Sequence, residues 1–267
     1  MKVSIIIPVY KQEKTIEVDL ENICDTMSKT RWEYEVVAVV DGSPDDSYKE
    51  AKKVKRPNLQ VYKYDINKGK GYAVRYGMAR ATGDYISFID AGMDIDPNGI
   101  SMLLEHMEWY NADIVVASKK HPVSQVNKYP LMRKVYSFVY YMMVKILFGL
   151  NLKDTQTGLK VYKRQVLEKV LPRLLVKQFA FDIEILAVAK NLGFNRIYEA
   201  PVKVRLGFDN TSFSTLIIFD KHIQAMILDT LAIFYRLRIL NFYSDDSKRK
   251  WVYDKDLEMR INTGELG

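Results

Sequence analysis

The chain has 267 residues, 48% of them hydrophobic, a formal net charge of +7 and one cysteine, Cys24. That is enough apolar material for a sizeable core in one large α/β domain, or one domain with an appendage. A lone cysteine excludes an intrachain disulfide framework and fits a reducing compartment, while the basic balance favours phosphate-bearing partners such as a nucleotide, an anionic membrane or nucleic acid. The opening apolar run, residues 3–9, is too short for a secretory signal. No run reaches the ~20 apolar residues of a membrane span: residues 137–144 are closed by Lys145, and the run after His222 is broken by Asp229 and Arg236.

Residues 2–9 form a continuous apolar strand of the kind buried in a parallel sheet, and Lys11, Gln12 and Glu13 open a helix that runs to about residue 29. Residues 32–40 read as a second strand, ending in Asp41-Gly42-Ser43-Pro44-Asp45-Asp46, with a helix after it to about residue 55. A strand at 59–64, the turn Asn67-Lys68-Gly69-Lys70-Gly71 and a helix at 72–80 follow. Residues 85–89, rich in aromatic and β-branched side chains, make the next strand, which stops at Asp90. A helix at 98–109 and a strand at 113–117 complete this half. Such alternation predicts a doubly wound, mostly parallel sheet. The polar and glycine clusters at the strand ends then share one edge, where open α/β sheets bind ligands.

Asp90, Asp94 and Asp96 follow the 85–89 strand at once. They can offer hard oxygen ligands to Mg²⁺ or Mn²⁺, which would in turn hold a phosphate. The other reading is a polar loop whose aspartates cap the helix beginning near Pro97. Both stay open on the local sequence, and the convergence of four such loops on one edge argues against the second.

The second half has a different character. Residues 130–150 form a helix rich in aromatic residues and methionine, with Arg133 and Lys134 at its start. A turn at 154–158 leads into a strand, Phe181-Asp182-Ile183-Glu184 leads into a helix ending near Gly193, and residues 197–204 make a strand. Residues 215–240 form a long amphipathic helix carrying Lys221, Arg236 and Arg238, suited to a membrane interface, to packing on the domain, or to a twin subunit in a homodimer. From residue 243 the composition is polar and charged and reads as a loosely held tail.

Several segments together carry a resemblance: Ile5-Ile6-Ile7-Pro8-Val9-Tyr10-Lys11-Gln12-Glu13, Val40-Asp41-Gly42-Ser43, Asn67-Lys68-Gly69-Lys70-Gly71, Gly83-Asp84-Tyr85 with Asp90-Ala91, Asp154-Thr155-Gln156-Thr157-Gly158, and Phe181-Asp182-Ile183-Glu184. Each is weak alone. In this order and spacing, over roughly residues 1–240, they resemble family 2 glycosyltransferases of the polyprenyl-phosphate branch, such as dolichyl-phosphate mannose or glucose synthases. The resemblance implies a GT-A fold and inverting transfer of a hexose from a nucleotide diphosphate sugar, of the GDP-mannose or UDP-glucose type, to a polyprenyl phosphate. It implies a peripheral protein on the cytoplasmic side of the membrane, with a catalytic domain at 1–211, an amphipathic membrane- or partner-facing helix at 212–242 and the tail at 243–267.

By the same resemblance, Pro8, Tyr10, Glu13, Asp41, Asn67, Lys70, Asp90, Ala91 and Arg205 hold the nucleotide sugar, and Asp90 and Asp94 share Mg²⁺ or Mn²⁺. Ser118, Lys119, Arg133 and Ser137, with Lys120 and Lys134 beside them, take the acceptor phosphate, and Asp90, Asp182 and Arg133 are the catalytic candidates. Asp182 and Glu184 position sugar hydroxyls or basic acceptor-site residues, or Asp182 caps the helix that follows. The chain departs from the family at Val40 and Gly92, where aspartates are usual, which weakens one nucleotide contact and the metal site. A phosphate acceptor, with a second pKa of about 6, is already a charged nucleophile and needs no strong base. A sugar or protein hydroxyl acceptor would need one, and a catalytically weak binding protein would show no turnover. Nucleic-acid binding is disfavoured, because basic and acidic residues are interleaved and no recognition motif is present.

Overall fold

A computed structural model describes residues 1–92, 94–126, 131–204, 221–245, 247 and 250–263, with the side chains of 131–133 and 221–222 outside that description. Among the described residues, strands β1 (Lys2–Val9), β2 (Glu33–Asp41), β3 (Leu59–Tyr64), β4 (Tyr85–Ile89), β5 (Ile114–Ser118), β6 (Leu159–Lys163) and β7 (Ile197–Pro201) make one sheet in the order β3-β2-β1-β4-β6-β5-β7. All neighbours are parallel except β6, which runs antiparallel to both β4 and β5. The helices are α1 (Ile16–Ser28), α2 (Ser47–Ala51), α3 (Lys70–Arg80), α4 (Asn98–Trp109), α5 (Leu131–Phe148), α6 (Arg164–Val170), α7 (Phe181–Asn191) and α8 (Lys221–Phe234).

The unbroken apolar runs are explained by helices on both faces. Along β1, Ile6 joins one core with Ala73 and Met78 of α3 and Ile183 and Leu186 of α7. Its neighbours Ile5 and Ile7 join the other, with Leu20 and Ile23 of α1 and Leu103 and Met107 of α4. The same period of two sends Val37 and Val39 of β2 one way and Val36, Ala38 and Val40 the other. Val40, standing where the family usually has an aspartate, is thus a core residue.

Two expectations are corrected. The first helix does not open at Lys11, whose φ of 55° is left-handed; α1 starts at Ile16. The intervening loop is tied to the turn after β2, with Lys11 N–H donating to Ser43 Oγ at 2.8 Å and Gln12 N–H to Ser47 Oγ at 2.8 Å. These side-chain acceptors satisfy the backbone donors of the loop, so the loop needs no helical turn to pair them.

The described residues from 243 on are also no loose tail. Tyr243 is buried and donates to Glu184, and β8 (Trp251–Asp254) pairs antiparallel with β9 (Met259–Asn262). The hairpin tip sets Leu257 in a buried position, pairs Asp256 with Lys68 at 2.9 Å and accepts from Arg80 through the Asp256 carbonyl at 2.7 Å. A few apolar anchors and ion pairs to distant residues hold this polar segment, a pattern that composition alone does not display.

Candidate active site

The carboxyl edge of the sheet gathers the candidate residues. β4 ends at Ile89, and the next residue, Asp90, donates its N–H to the Gly158 carbonyl at 2.9 Å. The two chains pass so closely that a Cβ on Gly158 would stand 1.9 Å from Asp90 Oδ2. Only glycine leaves room for the carboxylate there. Lys70, the first residue of α3, puts its ammonium 2.7 Å from Asp90 Oδ1 and 2.8 Å from Oδ2. Burial works to neutralise Lys70, but the charges of Asp90 and then Asp182 outweigh it and its pKa is raised.

Asp41, at the end of β2, accepts from Asn67 Nδ2 at 3.0 Å, Lys68 N–H at 2.8 Å and Gly69 N–H at 3.0 Å. It thereby organises the loop that delivers Lys70. Asp94 has its carboxyl pKa raised by burial and then by the charge of Asp90, with Lys119 opposing. Gly92 has φ of +95° and donates its N–H to Asp19 on α1 at 2.8 Å. An aspartate at that position would be strained in such a backbone.

A cavity of about 510 Å³ gathers Pro8, Tyr10, Gln12, Asp41, Asn67, Lys70, Asp90, Ala91, Asp94, Gln178 and Phe179. Eight of the residues named from the sequence for the donor or the metal are therefore together: Pro8, Tyr10, Asp41, Asn67, Lys70, Asp90, Ala91 and Asp94. Glu13 is not with them. It is exposed, and its carboxylate takes the Asp46 N–H at 3.2 Å, a tie between two loops. Asp96 is buried and accepts from Asn98 N–H at 3.1 Å at the start of α4, so it follows the helix-start reading. Arg205 lies outside the described residues. Sequence reasoning missed Gln12, Gln178 and Phe179; the first lies inside a quoted motif and the others stand three and two residues before Phe181, where another begins.

A second cavity, of about 590 Å³, is lined by Lys119, Lys120, Lys134, Ser137, Phe138, Tyr141, Lys153, Asp154 and Gln156. Basic groups and aromatic faces share one wall. Lys120 has its pKa lowered, chiefly by burial, with Asp154 and Glu199 pulling the other way. Of the acceptor candidates, Lys119 and Ser137 line this cavity. Ser118 is fully buried outside the lining, where its carbonyl accepts from Ser124 Oγ at 2.6 Å. The Arg133 side chain lies outside the described residues. Lys153, Tyr141 and Gln156 were not anticipated.

Asp182 does not reach either cavity. It is 2% exposed and lies 2.5 Å from the ammonium of Lys160, which is fully buried. Nor does it cap α7, whose N-terminal flank is Ala180 with no side-chain cap. Burial raises the Asp182 pKa while Lys160 and Lys70 oppose the rise. Glu184 is also fully buried and accepts from the N–H groups of Leu175 and Val176 and from the Tyr243 hydroxyl. Both acidic residues of the Phe-Asp-Ile-Glu motif therefore bond protein groups.

The residues present fit a hard divalent ion of a particular kind. Asp90 and Asp94 are oxygen donors facing the first cavity, and no cluster of three or more His, Cys, Asp or Glu that could hold a metal occurs among the described residues. Mg²⁺ is commonly held by one or two carboxylates plus substrate phosphates, which suits an ion that arrives with a diphosphate.

A mixed sheet of this topology, with carboxylates at its carboxyl edge and a cavity around them, defines a glycosyltransferase of the GT-A class. Residues 4–171 match the family model for glycosyl transferase family 2, and the chain belongs to that family. It is 27% identical over 248 residues to a dolichyl-phosphate beta-glucosyltransferase of Dictyostelium discoideum, spanning 87% of this chain and 74% of that protein. It is 29% identical over 270 residues to the protein of the same name from Saccharomyces cerevisiae strain ATCC 204508 / S288c, spanning 92% of this chain and 77% of that one. Among solved structures it resembles mannosyl-3-phosphoglycerate synthase from Rubrobacter xylanophilus, with a TM-score of 0.68 at 15% identity over 98% of this chain and 86% of that one. Glucosyl-3-phosphoglycerate synthase from Mycobacterium tuberculosis, solved with Mn²⁺ and UDP-glucose, has a TM-score of 0.65 at 18% identity with the same coverage. These two likenesses bear on the fold.

Proposed function

We propose that this glycosyltransferase moves glucose, with inversion, from UDP-glucose to a polyprenyl phosphate of the dolichyl type. The observation that carries the reading is the pair of cavities: one lined by Asp41, Asp90, Asp94 and Lys70, the other by four lysines and two aromatic rings. The first suits a nucleotide diphosphate sugar and the second a phosphate head on a greasy chain. Names of the curated relatives support glucose and dolichyl phosphate over mannose. The UDP-glucose bound by the Mycobacterium structure supports the donor only through the shared fold.

In this reading Asp41 and Asn67 hold the nucleoside end and Lys70 turns from Asp90 to the diphosphate. Asp90 and Asp94 would hold Mg²⁺ or Mn²⁺, which when bound neutralises the leaving diphosphate. Lys119, Lys120 and Lys134 keep the acceptor phosphate ionised and aimed at the anomeric carbon, and Arg133 and Arg205 add to the acceptor and donor phosphate sites respectively. Alignment and charge compensation make up most of the catalysis, and no general base is required.

The bilayer surface is the proposed workplace, on its cytoplasmic side. Among the described residues no helix is long and apolar enough to cross a membrane. Exposed apolar side chains on two neighbouring helices support a peripheral seat: Phe138 at 60% and Ile146 at 74% on α5, and Leu228 at 65% on α8. Phe138 also lines the lysine-rich cavity, so a lipid tail has a short route to it.

The test is a transfer screen of UDP-glucose and GDP-mannose against farnesyl phosphate with Mg²⁺ or Mn²⁺. We expect transfer from UDP-glucose that stops with chelator. Transfer to a free sugar hydroxyl with none to the lipid phosphate would overturn the acceptor assignment, and donor binding without any turnover would support a binding protein.

A further inference from the structure

We propose that the buried Lys160–Asp182 pair is a positioning device: it holds segment 154–158, which runs from the lining of the lysine-rich cavity to the backbone behind Asp90, and so sets the acceptor phosphate against the donor. The proposal rests on the donor and acceptor assignment above.

Neither side chain can touch a substrate, since Lys160 is fully buried and Asp182 is 2% exposed. Stability is a weak account of such a pair, because apolar residues of similar volume often serve as well. Its geometry supplies a stronger one. Lys160 spends a second bond on the Thr157 carbonyl, at 2.7 Å. The next residue is Gly158, whose carbonyl accepts from Asp90 N–H at 2.9 Å and whose Cα backs directly on the Asp90 carboxylate. Fixing the Thr157 carbonyl therefore fixes the peptide against which Asp90 leans.

The other end of the same short segment belongs to the acceptor side. Asp154 and Gln156 line the lysine-rich cavity. Asp154 is itself held, accepting from Lys119 N–H at 2.9 Å and donating its own N–H to Glu199 at 3.0 Å. Residues 154–158 thus run from the lysine-rich cavity to the Asp90 carboxylate, and the buried pair clamps them at the fourth, Thr157. A displacement of ~1 Å in such an alignment is enough to lose about 10²-fold in rate.

The double variant Lys160→Met/Asp182→Leu removes both charges together and leaves neither one buried alone. The full chain is assayed with UDP-glucose, farnesyl phosphate and Mn²⁺, following glucosyl transfer and the slow hydrolysis of UDP-glucose by water. We expect a cooperative unfolding transition close to that of the unaltered protein and a KM for UDP-glucose within about threefold. Transfer should drop by about 10²-fold while hydrolysis falls far less, so the transfer-to-hydrolysis ratio collapses. A pair that served only folding would leave that ratio unmoved in whatever protein remained folded. Asp182→Glu, which keeps the pair but lengthens it by one methylene, should lower the same ratio and serves if the double variant fails to fold. A ratio equal to that of the unaltered protein in a folded variant overturns the proposal. Absence of any transfer by the unaltered protein removes the functional reading instead, and the proposal with it.

Discussion

Asp90 concentrates the site's constraints in one side chain. It answers to the ammonium of Lys70 on one side, the backbone of Gly158 on another and the field of Asp94 on a third. Asp90→Asn keeps the shape and removes the charge, so transfer should fall by about 10²-fold or more while the unfolding midpoint hardly moves, measured by turnover and thermal melts on one preparation. Gly158→Ala makes the complementary test. Its new methyl would sit 1.9 Å from Asp90 Oδ2, so the carboxylate must turn away, and we expect a similar loss with the charge intact. Gly158 was visible in the sequence as one residue of a motif. Its reason for being glycine was not, because the conflicting atom belongs to Asp90, just past a strand distant in the chain.

At the scale of elements, Glu35 near the start of β2 shows how strands are stitched together. Its carboxylate accepts from Lys2 Nζ at 2.8 Å, Ser4 Oγ at 2.6 Å and Thr82 N–H at 2.6 Å, linking β2, β1 and the turn before β4. Burial works against its ionisation, but these bonds outweigh it and hold the carboxyl at about 2, below its ordinary 4.5. A depressed carboxyl stabilises the fold above its unfolded pKa and loses that contribution as pH falls towards its folded one. The stabilisation should be complete at neutral pH, on the order of 3 kcal/mol, and should fade between about pH 4.5 and about 2. Glu35→Ala should therefore unfold more easily than the unaltered protein in urea at pH 7, and the two denaturation curves should converge in that acid window. Equal stabilities at pH 7 would show that the network carries no net energy.

The C-terminal hairpin acts at the same scale. Asp256 bonds Lys68, which lies in the loop that Asp41 gathers for the donor cavity, and Leu257 is buried. Removing residues 250–267 should lower the melting temperature by several degrees and raise the KM for UDP-glucose more than that for lipid phosphate. A truncated chain with unchanged melting and donor KM would return the segment to the status of a tail.

For the whole molecule, the proposed reaction poses the question of how a water-borne donor would meet a bilayer-borne acceptor. α5 and α8 lie together, with Phe148 and Phe234 ring centroids 6.3 Å apart and Tyr140 hydrogen-bonded to Thr230 at 3.1 Å. Their exposed apolar residues are the proposed membrane seat. Replacing Leu228 and Leu231 by aspartate should release the protein from anionic vesicles in a flotation assay while leaving donor binding unchanged. Continued flotation would point the helices elsewhere, and a concentration-dependent dimer lost in the same variant would point to a twin subunit.

The alternating apolar runs and turn clusters determined, from the sequence by itself, an α/β sheet with its ligand edge at the ends of β1, β2 and β4. The family resemblance named Pro8, Tyr10, Asp41, Asn67, Lys70, Asp90 and Asp94 together, and one cavity holds them, though not Glu13, which it named as well. Period and composition along the chain set the elements; the resemblance named the residues. What only the tertiary structure decided were the contacts between distant segments. Val40 and Asp182 are sequestered in the interior, Glu13 ties two loops, and a charged terminal stretch folds back as a hairpin. A carboxylate reads the same in sequence whether it meets water, a substrate or a buried lysine, because its partner is chosen by packing across the fold.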